Sequence, residues 1–549
     1  MKKSDDHVLV AVAWPYVNGE QHVGHVAGYL LPADIFARFS RATGKKVLMV
    51  SGSDCFGTPI TVQADKEGTT PEQIVEKYHA RNITLFESLG LTYDLYTKTD
   101  TANHRHITQE FLLAFFKKNL LSVKKQLQYY SEKENRFLPD RYVEGTCPHC
   151  GFTNARSDQC DSCGKLLDQN LIDPRTKSTK EKVILKETEH LFIAWDRIQS
   201  DINTYIESVK DWRPWVLGET KNWLTQGLKP RPVTRDIDWG VEIPEEIAKT
   251  LPDSKNKRIY VWFDAVIGYY SASVEWSEKT GNDFLPYWHE PAKHYYFMGK
   301  DNLVFHTIFW PGQLMTFDKS LKLPDMPAIN QFLLLGTEKF SKSRGVVVDT
   351  ANFIKKFGAD SLRFYLTSVM PENADTAFTW SDFYLKNNTL LVDQIGNYFN
   401  RSLVIYKDLE HIDTTLSSGV IASITNTFEK ARAHLVLCQF KHYLDEVLLL
   451  TRFANNHFNE SAPWKLKKEN PAEFQKKSGD FIALTLAIGL LLYPVTSFAI
   501  ANLMKTLGLE GEIKWPETVS LNAFFTEQLK KIRITNPAPL FKKFEVENF

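Results

Sequence analysis

The sequence carries no net charge, has few cysteines and shows no leader-like start. Its 66 lysines and arginines balance 66 aspartates and glutamates, so no overall field points to a nucleic-acid partner, which local patches would have to hold. Asp5 and Asp6 interrupt the basic start and no cleavage site follows, which argues against a signal peptide. With 43% hydrophobic and 24% charged residues over 549 positions, we expect a globular, cytoplasmic protein of about two to four domains.

The sequence also lacks a clear membrane span. Residues 481–504 carry no charge and are long enough to cross a bilayer. However, Pro494 divides this run, and it contains scattered polar residues, namely Thr485, Thr496, Ser497 and Asn502. A membrane helix is the alternative, but the pattern favours two helices buried within the protein, and we expect no membrane partner.

The cysteines are concentrated in one short segment. Four of the six form two C-x2-C pairs, each followed by a glycine: Cys147, Cys150, Cys160 and Cys163. Four thiolates at this spacing form a closed tetrahedral zinc site, and the glycines permit the tight turns that such a site needs. Disulfides and an iron–sulfur cluster are the alternatives to the one structural Zn2+ per chain that we expect. The remaining two cysteines are expected to be ordinary packed thiols, Cys55 and Cys438.

Short apolar runs alternate with amphipathic stretches at the start of the chain. Residues 8–14 and 46–54 are predicted to be buried strands of a parallel sheet, with a helix between them that Pro32 kinks or restarts. A second helix should begin after Thr70 and end near Gly90. Strand and helix therefore alternate as in a doubly wound α/β domain.

The pattern changes twice further along the chain. From about 117 to 235 the sequence around the cysteines is charged and loop-like, as in an insertion between two halves of the α/β domain. Alternation resumes at 258–270 and 293–306. After about residue 386 no strand pattern remains, and amphipathic stretches such as 421–459 predict an all-helical domain.

The segment "WPYVNGEQHVGH" has two histidines where the first predicted strand gives way to a helix. The start of a helix offers unpaired backbone N–H groups and the positive end of the helix dipole, which attract anions. His22 and His25 add donors that can stabilise charge on a phosphate, and Gly24 lets a flat ring approach the backbone. A surface loop with two histidines is the alternative for this motif taken alone.

A second candidate motif is the basic segment "GTEKFSKSRG" at residues 336–345. Lysines on a mobile loop can close over polyphosphate oxygens and neutralise charge during transfer, which makes Lys339 and Lys342 candidates. Taken alone, this segment is more simply interpreted as an exposed basic loop.

Together the two motifs resemble the HIGH and KMSKS signatures of class I aminoacyl-tRNA synthetases, with Phe340 in place of the methionine of the second signature. The cysteine-bearing insertion narrows the resemblance to the methionyl-tRNA synthetase family, from about residue 7 to the end of the chain. Further matching segments are "PYVNG" at 15–19, "DCFGTP" at 54–59, "FLPDR" at 137–141, "TRDIDWG" at 234–240, "VWFDA" at 261–265, "GKDN" at 299–302 and "FHTIFWP" at 305–311.

The resemblance implies an α/β fold with a Rossmann-type doubly wound catalytic domain, a zinc-knuckle connective insertion and a C-terminal all-α anticodon-binding domain. The divisions that follow are the first catalytic half at 1–116, the insertion at 117–235, the second catalytic half at 236–325, the KMSKS loop and stem-contact region at 326–385, and the anticodon-binding domain at 386–549. The chain has no second cysteine set and no appended dimerisation domain, so we expect a single zinc and a monomer.

The resemblance also implies the reaction, in which methionine is activated by ATP, with Mg2+ on the phosphates, to methionyl-adenylate and transferred to methionine tRNA. The implied catalytic residues are His22, His25, Lys339 and Lys342, and ATP would be bound by Gly24, Asp301 and Lys342. Methionine would be bound by Tyr16, Asp54, Trp262, Ala265, Tyr269 and His306, with Asp54 paired to the ammonium group and Trp310 behind the pocket. The implied anticodon readers are Asn397, Arg401 and Trp464.

Two points stay open on the sequence alone. The family usually has leucine at the position of Trp14 and proline at that of Val266, so the indole either enters the amino-acid pocket or turns away from it. The alternatives to methionine activation are a paralogue that activates another small apolar amino acid and a catalytically silent tRNA-binding protein.

Overall fold

The computed structural model describes residues 6–139, 142–157, 160, 162–163, 167, 170–177, 179–336, 338–339 (backbone only) and 348–545. The strands, in chain order, are β1 His7–Val12, β2 Lys46–Ser53, β3 Leu95–Lys98, β4 Leu121–Ser131, β5 Arg136–Phe137, β6 Val143–Thr146, β7 Ala155–Arg156, β8 Ile172–Thr176, β9 Ile184–Ile193, β10 Arg231–Pro232, β11 Thr234–Arg235, β12 Val241–Glu242, β13 Arg258–Ile259, β14 Lys293–Gly299, β15 Met326–Asn330, β16 Leu333–Leu335, β17 Glu338–Lys339 and β18 Thr376–Phe378.

The α-helices, in chain order, are α1 Val23–His25, α2 Leu31–Ala42, α3 Thr58–Glu67, α4 Pro71–Leu89, α5 Ala102–Lys117, α6 Gln199–Ser208, α7 Pro214–Thr225, α8 Glu245–Ala248, α9 Val261–Thr280, α10 Leu285–Trp288, α11 Trp310–Phe317, α12 Thr350–Phe357, α13 Ala359–Ser368, α14 Trp380–Lys386, α15 Asn397–Tyr406, α16 Ser418–Val436, α17 Phe440–Ser461, α18 Pro463–Glu469, α19 Pro471–Leu492, α20 Ser497–Thr506 and α21 Leu521–Lys531. Wider helical turns of the π type precede α2, α11 and α15, at Val26–Leu30, Phe305–Phe309 and Asn387–Gly396.

A parallel sheet of five strands forms the centre of the catalytic region, in the order β15-β14-β1-β2-β3. Strand order reverses between β1 and β14, and in doubly wound folds a ligand crevice opens at the carboxyl ends of the strands at such a point. The alternation predicted for the start of the chain is confirmed. The sheet extends to Asn330, five residues past the division drawn at 325, and the domain divisions themselves stay predictions.

The first two predicted helices have the expected ends. Pro32 lies in the first turn of α2, where its missing N–H costs no hydrogen bond, so the helix restarts there as predicted. Thr70 caps α4 by accepting the backbone N–H of Gln73. Gly90 ends the same helix with a φ of +71°, a left-handed conformation that glycine adopts readily. These caps fix the two helices that flank the first strands.

The insertion contains more regular structure than its loop-like sequence indicates. β4 and β9 form a long antiparallel pair from Leu121 with Ile193 to Tyr130 with Ile184. Most of the side chains of β4 are exposed or half-buried, so a strand here needs no run of apolar residues. The interpretation of this region as mainly loops was wrong for that reason. The cysteines lie between the strands of a smaller sheet, whose order is β7-β6-β8.

The C-terminal region is helical, as predicted, and its described residues from 386 to 545 include no strand. The uncharged run at 481–504 forms the end of α19, a turn and most of α20, and nearly all of its side chains are buried. The prediction of two buried helices is therefore confirmed. Among the described residues, none of the helices combines the length and the apolar character that a membrane crossing requires.

A buried ion pair joins the helix behind the histidine motif to the C-terminal region. Asp34 on α2 accepts hydrogen bonds from Arg38 (2.8 Å) and Arg363 (2.7 Å), and both Arg363 and Asp34 are fully buried. Arg363 also donates to the carbonyls of Pro494 and Val495 at the turn between α19 and α20. Although burial opposes the charged form, the two arginines lower the pKa of Asp34 to about 2, so the junction stays ionised.

Candidate active site and metal centre

A cavity of about 350 Å³ opens at the carboxyl edge of the parallel sheet, where the strand order reverses. Ten of the predicted site residues line it: Tyr16, His22, Gly24, His25, Asp54, Trp262, Ala265, Tyr269, Asp301 and His306. They come from the segments that follow β1, β2 and β14, from α1 and from the N-terminal half of α9. The structure therefore brings together residues that the sequence separates by up to several hundred positions.

The two motif histidines are held in one tautomer by the backbone. His22 caps α1, and its Nδ1 accepts the N–H of Gly24 at 3.1 Å, while Nδ1 of His25 accepts the N–H of His22 at 3.1 Å. Their ring centroids lie 3.8 Å apart. Because each Nδ1 accepts a hydrogen bond, each neutral ring carries its proton on Nε2. The pair thus offers two N–H donors at a helix start, which suits a phosphate.

Asp54 gives the cavity a buried carboxyl group. It follows β2, is 3% exposed, and its backbone N–H donates to the carbonyl of Pro15 at 2.9 Å. Burial, and after it the nearby carboxylate of Asp264, holds the pKa of Asp54 well above its usual range. A cation bound beside this group would stabilise its charged form, so the site favours an ammonium group over a neutral ligand.

The apolar side of the cavity has one fixed polar pair. Nδ1 of His306 donates to the carbonyl of Asn302 at 2.9 Å, so Nε2 accepts from the hydroxyl of Tyr269 at 2.7 Å. Burial lowers the pKa of His306 to about 4, which keeps the ring neutral. Trp310 is fully buried and packs edge-on against Tyr269, as expected for a residue behind the pocket.

Trp262 forms a stacked aromatic wall on the other side of the cavity. Its ring lies 4.1 Å from that of Phe305 at an interplanar angle of 12°, and the ring of Tyr16 meets it edge-on at 6.3 Å. Trp14 and Val266, the two positions that differ from the usual family residues, also line the cavity. Between them these side chains enclose an apolar space next to the buried carboxyl group.

The second motif lies partly outside the described residues. Lys342 is among those not described, and only the backbone of Lys339 is, as part of β17 paired with β16. The described residues resume at 348, next to the first motif. There Asp349 forms an antiparallel β-bridge with His22, and the hydroxyl of Thr350 donates to the carbonyl of Gln21 at 3.0 Å. The segment that follows the second motif is therefore fixed to the first motif.

Several residues in or beside the cavity were not found from the sequence. Gln331 and Phe332, between β15 and β16, and Leu333 at the start of β16 line the cavity. The ammonium of Lys300 lies 4.3 Å from the ring centroid of Phe332. Asp264 is fully buried, and its carboxylate lies 3.5 Å from Nε2 of His104. The match of the "VWFDA" segment to the family was the only sequence signal for Asp264. No motif in the sequence pointed to Gln331, Phe332 or Leu333.

The four insertion cysteines converge on one point. Their Sγ atoms all lie within 4.8 Å of one another, with 3.8 Å between Cys147 and Cys163 and 3.7 Å between Cys150 and Cys160. Sulfurs bound tetrahedrally to one ion at a Zn–S distance of about 2.3 Å would be about 3.8 Å apart. These separations fit ligands of a shared ion and are too long for a disulfide bond of about 2.05 Å.

The glycine after the first cysteine pair has the conformation that the knuckle turn requires. Gly151 has a φ of +73°, and its N–H donates to the carbonyl of Cys147 at 3.0 Å. The N–H of His149 donates to the Sγ of Cys147 at 3.4 Å, and the imidazole of His149 is not in the ligand cluster. Gly164, after the second pair, lies outside the described residues. The arrangement can hold one metal ion.

The predicted anticodon residues form a patch on the helical region. Asn397 and Arg401 are four residues apart on α15, which puts them on one face of the helix. Arg401 donates to the side-chain oxygen of Asn459 at 2.7 Å, and its guanidinium lies 5.8 Å from the ring centroid of Trp464. Trp464 is 44% exposed at the start of α18, next to Pro463. An exposed indole beside an arginine suits stacking with an unpaired base.

Comparison with known proteins identifies the family. A family model described as "tRNA synthetases class I (M)" matches residues 8–403. A methionine--tRNA ligase of Thermomicrobium roseum is 42% identical over 522 residues, covering 92% of this chain and 87% of that protein. One of Cutibacterium acnes is 38% identical over 582 residues, covering 98% of this chain and 96% of that protein.

A solved structure shares the fold. The Mycobacterium tuberculosis methionyl-tRNA synthetase in complex with methionyl-adenylate aligns with a TM-score of 0.77 and 22% identity, covering 98% of this chain and 99% of that one. The Rossmann-type sheet, the cysteine-bearing insertion and the C-terminal helical region predicted from the resemblance are thus confirmed. The chain belongs to the class I tRNA synthetase (M) family.

Proposed function

We propose that this protein is a methionine–tRNA ligase, which joins methionine to ATP as methionyl-adenylate and then transfers the methionyl group to methionine tRNA. The observation that carries the proposal is one cavity with phosphate-type donors at His22 and His25, a buried carboxyl group at Asp54 and an adjoining apolar space. Activation of an apolar amino acid needs donors for the ATP phosphates, a carboxylate for the ammonium group and an apolar space for the side chain. Relatives with this name cover 92% and 98% of the chain.

In the first step the carboxylate of methionine attacks the α-phosphorus of ATP, and pyrophosphate leaves. Asp54 holds the ammonium group, so the carboxylate faces the nucleotide, which Asp301 helps to bind. The Nε2–H groups of His22 and His25 donate to the phosphate oxygens as their charge grows, and Lys339 and Lys342 neutralise the leaving pyrophosphate. Magnesium, when bound to the phosphates, offsets their charge further.

In the second step a ribose hydroxyl at the end of the tRNA attacks the carbonyl carbon of the adenylate. The C–O bond to the phosphate breaks, and AMP leaves with both bonding electrons. The apolar pocket around Tyr16, Trp262, Ala265, Tyr269 and His306 keeps the methionine side chain in position during both steps. Since the hydroxyl of Tyr269 donates to His306, that hydroxyl is already engaged and does not favour a polar substrate side chain.

A mixture of all tRNAs tests the proposal, because the protein itself then selects the tRNA that it charges. Incubated with ATP, methionine and unfractionated tRNA, the protein should acylate the methionine-accepting tRNAs and no others. Sequencing the acylated fraction measures this directly. Acylation of a different tRNA class would support the paralogue, and an absence of any adenylate or acylated tRNA would support the silent binding protein.

The proposed anticodon residues lie on the helical region, away from the cavity where methionine is activated. Trp464→Ala should lower kcat/KM for tRNA charging by roughly ten- to a hundredfold, because stacking of one base is worth about 1–3 kcal/mol. Methionine activation should be unchanged, since the indole lies on the helical region and lines no part of the active-site cavity. Trp464→Phe, which keeps a ring, is the matched control and should lose less. Equal loss of charging and of pyrophosphate exchange would make Trp464 a structural residue.

We propose that the cysteine cluster holds one structural Zn2+. Four sulfurs at tetrahedral separation leave no open ligand position, which suits zinc that stabilises a fold. Elemental analysis of reduced protein should find one zinc per chain, and Cys147→Ser should lose it. The insertion should then become sensitive to protease before the catalytic core unfolds. Cys438→Ser, which changes a buried thiol elsewhere, should keep the zinc. Iron, or no metal, in the unmodified protein would contradict the site.

We further propose that the protein acts in the cytoplasm as a monomer. The predicted phosphate donors, the buried carboxyl group and the apolar pocket meet within one copy of the chain, which supports a monomer. Its substrates, ATP and uncharged tRNA, are those of cytoplasmic protein synthesis.

A further inference from the structure

The indole of Trp14 lies between two glycines behind the amino-acid cavity. A Cβ on Gly52 of β2 would overlap Cζ3 of the indole and lie 2.5 Å from Cη2. A Cβ on Gly268 of α9 would lie 2.5 Å from Cε2 and 2.7 Å from Cζ2. Real Cβ atoms do not approach other atoms so closely, so the ring rests on two bare α-carbons. The indole thus occupies a slot that only glycine leaves open on either side.

The backbone that carries this indole has little freedom to move. The N–H of Ala13 donates to the carbonyl of Phe297 at 2.9 Å, and the carbonyl of Pro15 accepts the N–H of Asp54 at 2.9 Å. Position 14 is therefore fixed on both sides to neighbouring strands of the sheet or their ends. If the slot closed, the ring itself would have to move rather than the chain that carries it.

Part of the Trp14 side chain also faces the cavity. Trp14 lines it together with Ala265, Val266 and Tyr269, the side chains of the apolar pocket. A ring pushed out of the slot would enter the space assigned to the substrate side chain. Conversely, a smaller residue at position 14 would open the slot to the cavity. The size of the pocket therefore depends on how deeply the indole is seated.

Gly268 is the more informative of the two glycines. The three atoms nearest to a Cβ built there all belong to the Trp14 ring, the third being Cδ2 at 3.0 Å. At Gly52 the backbone carbonyl of Thr97 would also lie 2.7 Å away, so a substitution there would disturb the sheet as well. A methyl group at 268 would therefore meet the indole before any other group.

We propose that Gly268 is a specificity-determining residue, because its bare α-carbon seats the indole of Trp14 and so gives the pocket the length of a methionine side chain. The inference rests on the proposed function, since it concerns the amino-acid pocket of that reaction. It also explains how a tryptophan is accommodated where the family usually has leucine. The indole neither fills the pocket nor leaves it, but forms its rear wall.

The test is Gly268→Ala, assayed by ATP–pyrophosphate exchange. We expect kcat/KM for methionine to fall by about ten- to a hundredfold, as for the loss of one methylene's space in an apolar pocket, while KM for ATP stays the same. The ratio of norvaline to methionine use should rise, because norvaline is shorter. Gly218→Ala is the matched control, since that helical glycine is exposed and a Cβ there meets nothing within 4 Å; it should behave as the unmodified protein.

A second substitution distinguishes seating from general damage. In the double variant Gly268→Ala with Trp14→Leu, the clash is gone, and methionine activation should recover most of what Gly268→Ala loses. Trp14→Leu alone should raise the ratio of ethionine to methionine use by about tenfold or more, since ethionine is one carbon longer. This single variant decides the matter even if Gly268→Ala does not fold.

Three results would overturn the inference. They are unchanged methionine kinetics in folded Gly268→Ala, no recovery in the double variant, and no gain of ethionine in Trp14→Leu. Failure of the proposed function would look different, because the unmodified protein would then show no methionine-dependent exchange at all.

Discussion

Asp54→Asn is expected to lower kcat/KM for methionine activation by roughly a hundredfold to several thousandfold. Removing one partner of a buried charge pair costs about 3–5 kcal/mol, since the other charge is left without compensation. Asparagine keeps the shape of the side chain, so the loss reports the charge that meets the substrate ammonium group. Pyrophosphate exchange over a range of methionine concentrations measures the effect, which should appear mainly as a higher KM.

The pH dependence gives the same carboxyl group a second signature. Burial, and then Asp264, holds the pKa of Asp54 above its usual range in the free protein. A carboxylate with a raised pKa is lost as the pH falls through that raised value, so kcat/KM for methionine should decline on the acid side. Asp54→Asn carries no charge at any pH, and the part of the decline due to Asp54 should be absent.

An exposed carboxylate provides the control for this substitution. Asp445→Asn on α17 makes the same chemical change on the surface and should leave exchange unchanged. If Asp54→Asn also left the KM for methionine unchanged, the ammonium group would have to be bound elsewhere in the cavity. The assignment of the amino-acid end of the site would then be wrong.

Lys342→Ala is expected to slow methionine activation by about a hundredfold to a thousandfold, with KM for methionine little changed. The lysine is proposed to neutralise charge that develops on the phosphates only as pyrophosphate leaves, and removing one such group typically costs that much in kcat. Single-turnover formation of methionyl-adenylate measures the step directly. Lys355→Ala, an exposed lysine on α12, is the matched control. Near-normal adenylate formation by Lys342→Ala would remove the phosphate role from this residue.

Much of the catalytic fold was predictable because its signals are local. The ends of β1 and β2 lie within two residues of the predicted ones, and Thr70 and Gly90 cap α4 through their own side chain and backbone. Asp54 follows β2 directly and the histidines stand at the helix start after β1, so alternation of strand and helix already predicts that they meet at one edge. The hydrogen-bond partners that hold His22, His25 and His306 in one tautomer could be identified only from the coordinates.

The rest depends on contacts between distant segments. The seating of Trp14 on Gly52 and Gly268 joins positions far apart in the chain, and no glycine on its own signals such a role. The β-bridge between His22 and Asp349 and the burial of Asp264 likewise depend on residues that are distant in the sequence. The β4–β9 pair was missed for a different reason, since strands with mostly solvated side chains lack the apolar periodicity by which strands are recognised.

The most direct test of the central claim is ATP–pyrophosphate exchange by the unmodified protein with each natural amino acid and norvaline in turn. The proposed function predicts that methionine gives the highest kcat/KM, ahead of leucine, valine and norvaline, with weak use of close analogues, because an apolar pocket discriminates by only about 1–3 kcal/mol per methylene. A clear preference for any other natural amino acid, or no exchange with any of them, would contradict it.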